Sequence, residues 1–224
     1  MKKIENEKLI NNSNKILELK DNIKYNQDNK YSKIHNRFID FYLTHDLIFV
    51  QKNRRAGFSE FMEEIAIAEC KDNKKVLLLQ CGGEKHNRVS KNCDYKNNKE
   101  YTPNILIGKR YDVIIIDEIY ILKNFERLLD DITPFLSNSK IIIATTPSPQ
   151  EKLKKIFEDA ELNGNLFHFN YWINKDNMYN VIKRNIDNID CIANEVFGVF
   201  LEYKENNNEI YKQLKKNQIS KPIV

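Results

Sequence analysis

Short, unbroken apolar runs alternate with amphipathic stretches along most of this chain. Leu47 to Val50, Lys75 to Gln80, Val113 to Ile116 and Lys140 to Ala144 are dominated by Val, Ile, Leu and Phe, the length and composition of strands buried on both faces. Between them the apolar period changes. Ile34, Phe38, Ile39, Phe41 and Tyr42 fit a short helix over 34–43, and Phe61, Met62, Ile65, Ala66 and Ala68 fit another over 59–71. Positions 121, 122, 125, 128, 129, 132 and 135 make a third helical stripe, closed by Pro134 and Ser137-Asn138-Ser139, a spacing that keeps one face apolar. Gln150 to Leu162 reads as a charged amphipathic helix stopped by Asn163-Gly164-Asn165, Leu166 to Trp172 as a strand near the sheet edge, and 176–186 and 189–203 as helices. Cys81 to Thr102 has no period and reads as a long surface loop.

Strands that alternate with helices predict an α/β fold with a mostly parallel central sheet, helices on both faces and right-handed crossovers. Residues 1–33 read as an N-terminal helix or arm, 34–203 as the folded domain and 204–224 as a polar tail. In such sheets the functional loops gather at the carboxyl ends of the strands. Three stretches rich in chemistry fall there: the turn after Val50, Asp117-Glu118, and Thr145-Thr146.

Composition narrows the class. A chain of 224 residues with 41% hydrophobic content suits one sizeable domain with room for a small appendage. Charged residues make up 30% with a formal net charge of +4, which is mildly basic and no nucleic-acid signature by itself. The cysteines, at 70, 81, 93 and 191, are scattered without a C-x-x-C pair, the pattern of reduced intracellular thiols. Cys81, His86 and Cys93 are spaced more loosely than zinc ligands usually are, and no metal is expected there. The longest apolar runs fall well short of the roughly 18 residues of a membrane helix, and MKKIENEKL lacks the apolar core of a signal peptide. A soluble intracellular protein, with no membrane partner, is expected.

The stretch FVQKNRRAGFSEF, Phe49 to Phe61, carries the sharpest chemistry. An apolar strand runs into a basic turn with one glycine, then into a helix opened by a serine, the outline of a phosphate-binding loop. The standard pattern puts its lysine directly before the Ser or Thr, whereas Phe58 stands there and the nearest lysine is Lys52. The turn from Lys52 through Asn53, Arg54, Arg55, Ala56, Gly57, Phe58 and Ser59 offers backbone N–H groups and the positive end of a helix dipole to an anion. Lys52 can reach phosphate oxygens from the strand end, and Ser59 can ligate Mg²⁺. In the run VIIIDE, Asp117 fits the second metal-ordering group and Glu118 the residue that polarises an attacking water. Arg55 is the better candidate for the cation on a developing γ-phosphate charge, with a salt bridge the alternative for either arginine. Thr145 and Thr146 can sense whether a γ-phosphate is present. Tyr25 or Tyr31 could stack on an adenine base, although a partly buried surface tyrosine is commoner.

Together these residues resemble the ATPase domain of the large terminase subunit, the DNA-packaging motor of tailed phages. That family commonly carries a deviant phosphate loop, K-x-x-R-x-G-x-S, matched here by Lys52, Arg55, Gly57 and Ser59. VIIIDE, residues 113–118, and ATTP, residues 144–147, follow in the family's order, and ANEVFGVF, residues 193–200, looks like the segment that closes its ATPase domain. The resemblance covers about residues 34–203. It implies a P-loop NTPase three-layer sandwich, ATP and Mg²⁺ as cofactors, and double-stranded DNA and a portal protein as partners. It also implies a homo-oligomeric ring and a place in the host cytoplasm at the procapsid portal. The family's RNase H-like nuclease domain has no counterpart here, so DNA cleavage is not expected, and a nuclease or small terminase subunit would be a separate chain. Two other classes remain open: a helicase- or repair-like P-loop ATPase acting on nucleic acid, and a non-hydrolysing assembly module of the same fold.

Overall fold

β-Branched and leucine side chains that are apolar on both sides of the backbone have one stable destination, the middle of a sheet covered twice. In the computed structural model, which describes residues 33–82, 93–97, 99–172 and 175–200, the four apolar runs go there. They form β1 (Leu47–Lys52), β2 (Val76–Gln80), β4 (Val113–Asp117) and β5 (Lys140–Thr145). Cys93–Asn97 adds β3 and Leu166–Phe169 adds β6. The spatial order is β3-β2-β4-β5-β1-β6, and every pair is parallel.

Helices cover both faces. α1 (Lys33–Thr44) and α2 (Phe58–Lys71) lie on the face that carries Ile48, Val50, Ile115 and Ile142. α3 (Phe125–Ile132) and α4 (Glu151–Leu162) cover the face of Phe49, Ile114, Ile116 and Ile143. Successive strand residues point to opposite faces, so Ile48 and Phe49 enter different cores. Phe38 of α1 is fully buried in an aromatic cluster with Phe58, Phe61 and Phe167, at ring-centroid distances of 5.7, 5.6 and 5.2 Å. This cluster anchors the first turn of α2, and with it the loop that precedes that helix. No described helix is long and apolar enough to cross a membrane.

The structure revises several expectations. Residues 93–97 are not surface loop: they pair in parallel with the whole of β2, from Val76↔Cys93 to Gln80↔Asn97. As an edge strand, half exposed and carrying Asp94, Lys96 and Asn97, β3 needs no apolar run and shows none. The helix expected over 189–203 is also different. After α5 (Lys175–Arg184), a short turn at Ile189–Cys191 opens into a π-helix, Ile192–Val196, and the chain then turns at Gly198 with φ +61°. The stripe expected over 121–135 is divided among 3-10 turns at Ile119–Ile121 and Thr133–Phe135 and the helix between them. Tyr25, Tyr31 and the two terminal segments lie outside the described residues.

Candidate functional site

Strand β1 delivers Lys52 to the carboxyl edge of the sheet, and α2 leaves from the same edge at Phe58. Arg55 and Gly57 adopt left-handed backbone, with φ of +60° and +70°. Gly57 does so without strain, while an arginine there costs about 1–2 kcal/mol. The consecutive amides from Arg55 to Glu60 donate to no acceptor among the described residues. Unspent N–H groups in a left-handed turn at the head of a long helix form an anion-binding concavity. The Phe58 side chain is in the core, against Phe169 at 4.9 Å, so this residue presents only its backbone to the loop.

The acids come from two strands away. Asp117 is the last residue of β4, and Glu118 follows it at φ +59°, ψ +47°, which turns the carboxylate back across the strand ends. Lys52 ion-pairs with Glu118 and lies 3.6 Å from Asp117 Oδ1. Ser59 Oγ donates to Asp117 Oδ2 at 2.5 Å. Asp117 Oδ1 is buried and makes no hydrogen bond. Burial pushes the Asp117 carboxyl above its ordinary value, against the pull of the Lys52 ammonium. Burial also disfavours the Lys52 cation, yet Asp117 and Glu118 together outweigh that and hold it above its ordinary value.

Strand β5 lies between β4 and β1 and closes the cluster. The Thr146 amide donates to Glu118 Oε2 and its hydroxyl to Glu118 Oε1, both at 3.1 Å. Thr145 is buried and its hydroxyl donates to the Thr146 carbonyl at 2.9 Å, which keeps that backbone turn in place. Lys52, Ser59, Asp117, Glu118 and Thr146 thus meet at one point.

The two arginines separate. Arg54 ion-pairs with Glu195, and its amide donates to the Glu195 carbonyl at 2.9 Å, which fits the salt-bridge alternative. Arg55 is exposed and has no side-chain partner among the described residues. Asn53 is fully buried and is hydrogen-bonded to backbone rather than to the acids. Its Oδ1 accepts from the Tyr171 amide at 2.7 Å and its Nδ2 donates to the Tyr171 carbonyl at 2.9 Å. Ala56 is buried beside it in the turn.

Sequence reasoning did not find the outer supports of this loop. Gln51 Nε2 donates to the Gly198 carbonyl at 2.6 Å, and a Cβ at Gly198 would lie 2.8 Å from the Asn53 nitrogen and 2.9 Å from the Lys52 carbonyl carbon. The glycine itself was the available signal, since close backbone approach is one of the few reasons to place one after a helix. The two cysteines of the loose Cys-His trio do not converge, and His86 lies outside the described residues. Cys93 pairs with Val76 at the amino end of the strands, while Cys81 follows Gln80 at the carboxyl end, roughly 17 Å away at about 3.3 Å per residue. Burial pushes the Cys93 thiol up to about 12.

No protein-family model matches the chain, and no curated protein does. Among solved structures it is similar to the large terminase of a thermophilic bacteriophage in complex with ADP, with a TM-score of 0.51 at 13% identity. The match covers 76% of this chain and 54% of that one, so this chain spans about half the length of that neighbour. The fold is therefore a terminase-like α/β fold, a parallel sheet between two helical layers.

Proposed function

We propose that this chain is an ATP-hydrolysing motor subunit that drives double-stranded DNA into a viral procapsid, in the manner of a large terminase. One observation carries the reading. A buried lysine at the end of β1 meets two acids at the end of β4, directly beside a helix-opening turn whose amides are unspent. Structural proteins rarely bury a cation and two carboxylates beside free anion-binding donors, because each is costly without a ligand. The ADP held by the terminase of similar fold supports the same ligand class.

In this mechanism the amides from Arg55 to Glu60 and the Lys52 ammonium hold the β- and γ-phosphates. Lys52 must leave Glu118 to do so. Glu118 then orients the attacking water and accepts its proton, and Arg55 lies in cis to offset charge on the γ-phosphate. Asp117 Oδ1, which lacks a hydrogen bond, and Ser59 Oγ are the hard oxygen donors that suit Mg²⁺. When bound, the ion would supply positive charge to offset that of the phosphates. Thr146 links Glu118 to the loop after β5, the route by which hydrolysis would reach the rest of the motor. The partners on this reading are duplex DNA, a portal protein and further copies of the chain in a ring, in the host cytoplasm.

Phosphate release, measured with and without duplex DNA, tests it. Wild type is expected to hydrolyse ATP faster with DNA, and Glu118→Gln to lose about 10²–10⁴ in rate while still binding ATP. An unchanged rate in Glu118→Gln removes that residue from its role. Turnover stimulated by single-stranded DNA alone favours a helicase-like enzyme.

A further inference from the structure

The segment Glu195 to Gly198 lies more than 130 residues after the phosphate loop and touches it along its front half. Three contacts are independent of one another. Arg54 gives both its guanidinium and its backbone N–H to Glu195, the one to the carboxylate and the other to the carbonyl. Gln51, inside β1, donates to the Gly198 carbonyl in a buried hydrogen bond of 2.6 Å. Gly198, at φ +61°, lies so close to the Lys52–Asn53 peptide that no side chain fits. Trp172 Nε1 holds the same segment from behind, donating to the Val196 carbonyl at 3.2 Å. The residues just before are a π-helix, Ile192–Val196, whose widened turn moves carbonyls out of the regular ladder, a feature that gathers at functional sites.

We propose that Glu195 and Gly198 form a latch that positions the phosphate loop, and that Arg54 is a strut of this latch rather than a phosphate ligand. The inference rests on the nucleotide reading above and divides the labour of the two arginines. Arg54 fixes the loop from outside, through a residue that never meets the nucleotide. Arg55, one residue on, has no side-chain partner among the described residues and is left for the phosphates. The backbone explains why the neighbours diverge: the left-handed turn at Arg55 sends consecutive side chains in different directions.

Nucleotide affinity, turnover and amide hydrogen exchange of residues 51–54 test the latch in the full chain. Glu195→Gln and Arg54→Ala are each expected to weaken Mg-ATP binding about threefold, a partly exposed pair having modest strength. They are also expected to raise exchange of the hydrogen-bonded amides at the front of the loop, residues 51–54, and to lower kcat little. The double variant should be no worse than either single one, and the swap Arg54→Glu with Glu195→Arg should recover most of the loss. Gly198→Ala, which drives a methyl group into the peptide before Asn53, should weaken binding roughly tenfold or more. If it does not fold, the Arg54 and Glu195 variants decide the matter alone. Arg55→Ala should depress kcat and leave exchange at 51–54 unchanged. The latch is overturned if Arg54→Ala abolishes ATP binding while Glu195→Gln has no effect, because Arg54 is then a direct ligand. It is equally overturned if none of the variants alters loop exchange. Wild-type chain that binds no nucleotide defeats the nucleotide reading instead, and the exchange data, taken on the free protein, still judge the latch.

Discussion

Lys52→Met tests whether the lysine of the loop also carries the electrostatics of the free protein. Lys52 is 3% exposed and Asp117 1% exposed, so the substitution removes the cation from a site that water barely reaches and leaves an acid behind. Removing one member of a buried ion pair costs about 3–5 kcal/mol, most of it the stranded partner. Glu118 keeps its Thr146 donors, so the stranded charge is that of Asp117. Protonation offers relief. Burial already holds the Asp117 carboxyl above its ordinary value, and the Lys52 pull that opposes this is lost in the variant. A carboxyl raised on folding binds its proton more tightly in the native state, so its contribution is greatest at low pH. That contribution falls as pH rises from the unfolded value through the folded one. The variant should therefore be destabilised by about 3 kcal/mol at pH 8 and by less at pH 5. The gap should be about 1.4 kcal/mol for each pH unit over which the native proton is retained. Urea unfolding of wild type and variant at both pH values, without nucleotide, measures the difference of differences. Equal destabilisation at pH 5 and pH 8, or a loss below about 1 kcal/mol at pH 8, would refute the assignment of Lys52 as the cation that neutralises Asp117.

Two further outcomes follow from the core. Phe38→Ala opens a cavity among Phe58, Phe61 and Phe167 and should cost about 3–5 kcal/mol in urea unfolding; because Phe58 opens α2, nucleotide affinity should fall with it. Cys93, whose thiol is pushed up to about 12 by burial, should react with iodoacetamide at pH 8 about 10² times more slowly than an exposed thiol, read by mass spectrometry of its peptide, and unfolding should abolish that protection.

How much of this was legible in the sequence depends on what each element buries. Strands β1, β2, β4 and β5 are apolar on both faces, so each announces itself as a run without reference to its neighbours, and their order already placed the basic turn, the two acids and the threonines at one edge. Strand β3 satisfies its backbone against β2 and needs nothing apolar on its outer side. Its Asp94 instead accepts a hydrogen bond from the Tyr111 hydroxyl at 2.6 Å, a contact no local pattern encodes. The site divides in the same way. Lys52, Ser59, Asp117 and Glu118 are recognisable because each must stand at a strand end or helix start. The side chains that hold the loop, Glu195 and Asn53, have meaning only once the chain has returned to them. A π-helix likewise has no periodicity of its own over so few residues, and the sequence there passes for ordinary helix.

The free cluster also constrains how such a site can work. Glu118 Oε1 accepts from the Thr146 hydroxyl and ion-pairs with Lys52, so β1, β4 and β5 share one carboxylate. On the proposed reading a γ-phosphate competes for Lys52 against two acids, and it succeeds only if its charge and the unspent amides outweigh them. Once Lys52 moves, Glu118 loses its strongest partner and is held by Thr146 alone, a neutral donor pair and the weaker restraint. The carboxylate becomes free to take a water only in the state that has nucleotide to hydrolyse. On that reading the base is kept occupied while the site is empty, and the loop after β5 is the element that registers the change. The strands behind it are buried on both faces and cannot yield, so whatever movement hydrolysis produces must leave through the loops at this edge.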